Sequence, residues 1–385
     1  MTETQPMEKG GMNISWGFIG RVLLKAFVLF AAINIVYALL NPLPVLGRLS
    51  FYNVLFPGRL RLPYGDDPDR SFNITLSHLD AMFAAHEIQN TDKSEEEFRV
   101  LVIGDSSVWG FLLEPTQTLS AQINQSEIKT DDGRTVRAYN LGYPTMSVTK
   151  DLLILERGLL NHPDLILWLV TLESLPKVSQ LDSPFLQLNP DLTRELITRY
   201  DLDLDPEDER FENSTFWNRT IIGQRRELAQ LLKLQMLGVL WSGSGVDHEI
   251  PETYNERLED LPADLDFHNF MPGDLDTNEL AFDVLEAGVQ TAGDIPVVFI
   301  NEPVFISMGE NSDIRYNFYY PRWAYDFYRE ELQSVAAGRG WVYVDMWDAL
   351  PSIEFTDSAI HYTPLGSINL AQDIIGVIKE FLPEQ

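Results

Sequence analysis

The sequence predicts an α/β fold: a three-layer α/β/α domain around a parallel five-stranded sheet, with an inserted cap and one amino-terminal transmembrane helix. Two patterns carry this prediction. Val100 to Ile103, Leu165 to Val170 and Pro296 to Asn301 are short, almost continuously apolar runs, as expected of strands buried on both faces. Segments with helical spacing alternate with these runs through short connections, which is the rhythm of β-α-β units. A hydrophobic content of 45% places the chain among globular proteins rather than disordered ones.

Residues 1–15 are polar and glycine-containing and read as a tail. Residues 16–46 read as a transmembrane anchor. Within them Ala26 to Leu46 is free of charged side chains, and about 20 such residues span a bilayer as a helix. Arg21 and Lys25 precede that run and can snorkel to a headgroup layer. A cleaved signal peptide is the rival reading, although no clear small-x-small site follows Leu40. A helical hairpin buried in the soluble domain is another. Basic residues flank both ends, so charge bias orients the helix only weakly; amino terminus inside is the expectation. Residues 47–75, rich in Pro, Gly and Arg, read as a tether.

The domain proper is expected over residues 76–385. Leu76 to Gln89 has helical spacing. Strand one follows and breaks at Gly104. A helix begins at Leu119, strand two runs from Val136, Val148 to Leu160 is a helix, and Leu165 to Val170 is strand three. Residues 176–277 form the insertion. Its Asp201 to Glu209 stretch reads as a solvated acidic loop, and its spacing does not match a calcium loop. Phe216 to Trp241 has helical spacing with Arg225, Arg226 and Lys233 on the other side. This is a core or cap helix, or one that lies on the membrane. Leu280 to Ala292, Pro321 to Arg339 and Pro364 to Leu382 are helices, and Pro296 to Asn301 and Trp341 to Asp345 are strands four and five.

Asp plus Glu number 58 against 28 Lys plus Arg, a net charge of −30, which excludes a nucleic-acid partner that needs a basic face. The chain has no cysteine, which excludes disulfides, thiolate metal sites and cysteine nucleophiles. No cofactor and no metal site is expected.

Ser106 sits in Gly104-Asp-Ser-Ser107, at the carboxyl tip of the first strand, where open α/β sheets place their ligands. An ordinary strand-to-helix turn has the same tripeptide. A serine nucleophile needs a base, and histidine titrates in the right range. His78 and His86 read as surface or packing residues, His162 as a cap, and His248 and His268 as residues without a clear partner. His361 follows the last strand, on the same rim as Ser106, with Asp357 four residues before it to fix its tautomer. A buried histidine capping the last helix is the alternative.

Gly104-Asp-Ser-Ser107, Asn140-Leu-Gly142 after strand two and the Asp357 and His361 pair together resemble the SGNH, or GDSL-type, hydrolase superfamily. The layout is similar to its membrane-anchored, extracytoplasmic, DltD-like branch. The resemblance covers about Arg99 to Leu382 without the insertion. It implies a flavodoxin-like sheet and ester chemistry, hydrolysis or acyl transfer, on an acylated glycan or lipid. Ser106 would be the nucleophile, His361 the base and Asp357 its orienter, with the N–H groups of Ser106 and Gly142 in the oxyanion hole.

The sequence departs from the family pattern at two places. Glu173 stands near the position of the usual third donor, an asparagine, and a carboxylate repels an oxyanion. Thr171, Ser174 or a protonated Glu173 are the substitutes to weigh. The Asp-to-His spacing is one residue longer than usual, which leaves Glu354 as an alternative orienter. The competing expectation is a non-catalytic, glycan-binding accessory subunit that docks a multi-span membrane acyltransferase.

Overall fold

The computed structural model describes residues 15–48, 58–64, 79–84, 86–90, 92–211, 215–229, 231–232, 236 and 253–383. The expected tail, most of the tether, and His78 and His248 lie outside these. Contacts divide the chain into two units, Met1–Leu43 with Ser214–Ala229, and the remainder.

In the first unit, helix α1 spans Trp16–Leu40. Ser15 caps it by accepting the Phe18 N–H at 3.2 Å, and Asn41 ends it in the left-handed conformation with φ of 42°. Its mean hydropathy of 2.3 and its length suffice to cross a membrane, and a signal sequence passes the same test. Asn34, polar in this apolar helix, is satisfied locally. Its Nδ2 donates to the Phe30 carbonyl, and its Oδ1 accepts the Ile222 N–H at 3.3 Å.

The second unit holds the sheet: β1 Glu97–Ile103, β2 Thr135–Asn140, β3 Leu165–Val170, β4 Val297–Asn301 and β5 Val342–Asp345. Their order is β2-β1-β3-β4-β5, and every pairing is parallel. Val100 faces Ala138 on one side and Leu165 on the other, and Leu167 faces Val298. The three central strands β1, β3 and β4 are buried along their whole length, because helices cover both faces.

The covering helices show the expected stripes. In α4 (Val148–Leu159; the short α2, Ser106–Trp109, and α3, Leu119–Gln125, precede it), Leu152, Leu153 and Leu155 are buried. In α6 (Phe282–Ala292), Gly288 packs against Trp168, where an added Cβ would lie 2.3 Å from the indole ring. Tyr325, Tyr328 and Leu332 of α7 (Arg322–Arg339) and Leu370, Ile374 and Ile378 of α8 (Pro364–Lys379) complete the core.

Three expectations change. Residues 79–90 form a helix, Leu79–Ala84, and a 3-10 turn, Glu87–Asn90, rather than one long helix. The long helix expected over 216–241 is, among the described residues, helical only at 225–229, 231–232 and 236, after turns at 216–224. The insertion contains a helix that its acidic composition hid: α5, Pro190–Tyr200, which buries Thr193, Leu196 and Ile197. In the acidic run beyond it, which is largely exposed, Asp208 pairs with Arg210, which also reaches Asp182, and Asp203 pairs with Lys177 at 2.6 Å.

His86 is fully buried, and its Nδ1 accepts the Ile88 N–H at 3.1 Å. Burial drives its imidazolium down to about 3 from the ordinary 6.5. The unfolded chain therefore binds this proton first as pH falls. The stability contributed by the neutral ring is complete above pH 6.5 and is lost progressively toward pH 3, by up to about 1.4 kcal/mol per pH unit. His86→Gln is expected to flatten that part of the stability profile, measured by thermal unfolding between pH 5 and 7.5.

Candidate active site

Parallel strands all end on one side, and the strand order reverses direction between β1 and β3. The crevice at that switch is where this architecture gathers side chains. Ser106 starts α2 directly above it. Gly104 is required by space, since a Cβ there would lie 2.7 Å from Val108 and 3.1 Å from the Leu169 carbonyl. Asp105 caps α2 by accepting the Ser107 N–H at 2.8 Å, and Gly110 ends it with φ of 87°. The result is a sharp turn that leaves Ser106 largely buried at a cleft of about 470 Å³.

The structure brings Ser106, His361 and Asp357 together. His361 Nε2 lies 2.8 Å from Ser106 Oγ, and His361 Nδ1 lies 2.7 Å from Asp357 Oδ1. The consistent assignment has Nδ1–H donating to Asp357 and Nε2 accepting the serine proton. Although burial pushes the Asp357 carboxyl up, the hydrogen bond and charge of His361 hold it below the ordinary value, so it stays ionised. The Phe111 ring stacks on the imidazole at 4.7 Å. The loop holding both residues is closed by Thr356 N–H to His361 O and Thr363 N–H to Glu354 O, each 2.8 Å. Glu354 is not the orienter, because its Oε1 accepts from Asn369 at 2.7 Å instead.

Gly142 is not where the motif places it. Its N–H donates to Asn140 Oδ1 at 3.0 Å, and an added Cβ would lie 2.4 Å from the Trp109 nitrogen. Asn140 Nδ2 also donates to the Val108 carbonyl at 2.7 Å. Gly142 thus allows β2 to approach α2 and offers no donor to the cleft. Thr145 lines the cleft in its stead, with φ of 94° and no acceptor for its N–H among the described residues.

Glu173 lines the same cleft and is bonded to His268, Nε2 to Oε1 at 2.8 Å. This corrects the reading of His268 as a residue without a partner. The hydrogen bond from Glu173 raises the His268 imidazolium above the ordinary 6.5 despite partial burial. Thr171 and Ser174 do not substitute as donors. Thr171 Oγ1 is bonded to the Tyr320 hydroxyl at 2.9 Å, Ser174 Oγ accepts the Thr171 N–H, and both residues are buried.

Beneath the site lies a fully buried cation that sequence reading missed. Lys150 donates to the carbonyls of Gly104 at 2.9 Å and Tyr143 at 2.8 Å, and pairs with Asp151 at 2.5 Å. Burial lifts the Asp151 carboxyl to about 6, against the pull of Lys150. Glu302, buried at the tip of β4, accepts from Ser107 Oγ and from the Tyr362 hydroxyl; burial and the neighbouring Asp105 push its carboxyl well above the ordinary range. The one signal for Lys150 was a charge among the apolar positions of α4.

No family model matches the chain, and no curated protein matches it. Solved structures similar to it include a lipase/acylhydrolase from Enterococcus faecalis, at 15% identity and a TM-score of 0.38, covering 74% of this chain and 98% of that one. An M. smegmatis aryl esterase is 11% identical, with a TM-score of 0.33 and coverage of 74% and 99%. A catalytic mutant of an acetylxylan esterase from Geobacillus stearothermophilus is 11% identical, with a TM-score of 0.37 and coverage of 75% and 97%.

Lys150→Met removes the donor to two carbonyls and leaves Asp151 buried without its cation. The expected loss is about 3–5 kcal/mol of stability. The double variant K150M/D151L, which buries no unpaired charge, should regain part of it. Thermal unfolding of the full chain at neutral pH measures both.

Proposed function

We propose that the chain is a serine ester hydrolase or O-acyltransferase of the SGNH type, acting outside the cytoplasm on an acylated glycan or lipid and held at the membrane by α1. The observation that carries this is the continuous Ser106–His361–Asp357 relay, with bonds of 2.8 and 2.7 Å.

In this reading His361 Nε2 takes the Ser106 proton as Oγ attacks the ester carbonyl carbon. The carbonyl π pair moves onto oxygen, and the N–H groups of Ser106 and Thr145 accept that charge. Asp357 stabilises the imidazolium and keeps its proton on Nδ1. Collapse of the adduct returns the proton from Nε2 to the departing alkoxide and leaves an acyl-Ser106 ester. Water or a sugar hydroxyl then attacks, with His361 again as base. Water gives hydrolysis and the hydroxyl gives transfer.

The cleft favours a polyhydroxyl partner: Glu173, Asp182 and Ser183 offer hydrogen bonds, and Tyr64, Phe111 and Tyr319 offer ring faces. A multi-span membrane acyltransferase as partner remains within this proposal, as donor of the acyl group to Ser106. The non-catalytic accessory reading drew on Glu173 standing at an oxyanion position, and the bond to His268 supplies that carboxylate with a partner that weakens this support.

Ser106→Ala is expected to abolish labelling by a fluorophosphonate probe and hydrolysis of p-nitrophenyl acetate. Labelling that persists in the variant would assign the nucleophile elsewhere. Asp357→Asn should lower kcat by about 10⁴-fold, because it favours the wrong imidazole tautomer. Glu354→Gln should leave kcat within a few-fold of the parent in the same assay.

A further inference from the structure

The Glu173–His268 pair is the strongest feature of the cleft that the relay does not use. His268 comes from the insertion, 95 residues beyond Glu173, and occupies the tip of a two-residue turn. Phe267 N–H donates to Phe270 O at 3.0 Å, and Phe270 N–H donates back at 2.8 Å. His268 and Asn269 between them both have positive φ, 51° and 69°, as a type I′ hairpin turn requires. Histidine is among the non-glycine residues that adopt this conformation, although glycine and asparagine lead in such turns.

The hairpin is fixed from below. Phe267 is buried, with its ring edge-on to the imidazole at 4.7 Å. Arg315, itself 5% exposed, donates to the Asp264 carbonyl at 2.9 Å and also to the Phe318 and Tyr319 carbonyls, at 2.9 and 3.0 Å. Trp323 Nε1 donates to the Leu265 carbonyl at 2.7 Å. One buried guanidinium therefore ties the segment leading to the His268 turn to the Tyr319 loop, two segments that line the cleft with Ser106. A mobile surface histidine would need none of this.

Glu173 follows β3 in the 3-10 turn Leu172–Ser174, on the side of the crevice where a third oxyanion donor is missing. A carboxylate there raises the energy of a developing oxyanion, and an imidazolium bonded to it reverses the sign. With Nε2 on Glu173, the second ring N–H of a charged His268 has no acceptor among the described residues, and His268 lines the same cleft as Ser106.

We propose that His268 is a catalytic residue supplied by the insertion, which in its imidazolium form donates to the substrate oxygen that becomes the oxyanion, with Glu173 as its positioning residue. This rests on Ser106 being the nucleophile. No proton leaves His268 in the reaction; it stabilises charge and takes no part in the proton relay. The acids around it favour the charged ring: Glu173 from the turn after β3, Asp182 from the segment preceding α5 and Asp266 from its own hairpin. The same cleft is lined by His361 and by the Tyr319 phenol, whose own proton is held by burial.

The test is kcat and kcat/KM for p-nitrophenyl acetate against pH, on the full-length chain and two variants. Activity of the parent should fall on the alkaline side as His268 loses its proton, at a pH above 6.5. His268→Asn keeps a residue suited to positive φ, so the turn survives without the charge. It should lower kcat about 10²-fold with KM changed only a few-fold, and the alkaline limb should disappear. Glu173→Gln should move that limb to lower pH. If H268N keeps the parental kcat and alkaline limb, His268 is only a turn residue and the proposal falls. Fluorophosphonate labelling of the parent separates the two levels: no labelling at Ser106 overturns the nucleophile assignment, whereas normal labelling with an unaffected H268N overturns only the role of His268.

Discussion

In a parallel sheet every strand delivers its next residue to the same edge, and the chemistry of this protein is crowded onto that edge by this constraint alone. Ser106 follows β1, Glu173 follows β3, Glu302 follows β4, and His361 comes from the loop beyond β5. The Ser106–His361 bond joins residues 255 positions apart. No local preference can bring them together. The register of β1 on β3, β3 on β4 and β4 on β5 does it, so the reach of the relay is inherited from the hydrogen-bond ladder.

Such an edge has a cost. Strands that end together point carbonyls into a region that the covering helices have made dry. The carbonyls of Tyr143 and of Gly104, which also accepts the Tyr143 N–H at 3.0 Å, converge on one buried point. Lys150 brings its donors there on a flexible stem and serves both carbonyls, while Asp151 balances its charge at 2.5 Å. The same helix that packs on the sheet through leucines thus ties the Ser106 turn to the turn after β2. Glu302 solves a similar problem on the other side. As a buried acid near Asp105 it is favoured in its neutral form, and it holds Ser107 and Tyr362 without adding a second charge beneath Ser106.

The layered fold was legible because burial on both faces writes itself into sequence as uninterrupted apolar runs; Leu165–Val170 begins and ends where its pattern does. The Asp357–His361 pair was legible because it is local, four residues within one closed loop. The failures share a cause. Gly142 was read, through the resemblance, as an oxyanion-hole donor, but sequence does not say what its backbone meets, and the answer is Asn140 and α2 rather than the cleft. Helix α5 was hidden because it buries only one narrow stripe beside an acidic surface. Glu173 with His268, and Lys150 with its carbonyls, are meetings between elements that carry no shared periodicity.

The insertion and Glu173 are best understood as one adaptation. A lone carboxylate at the rim of an anion-stabilising cleft would be held only at a large electrostatic cost, because the surroundings cannot screen it as water does. Among the described residues, Lys150 is committed below the turn and Arg315 to backbone carbonyls. The charge has to arrive from outside the sheet, and the hairpin at Phe267–Phe270 is the segment that brings it. That makes the turn geometry part of the site's charge balance: a cap that swung away would expose the cleft and at the same time return an uncompensated anion to it. On the proposed reading, the placing of the hairpin and the charge balance beside Ser106 depend on the same 2.8 Å bond.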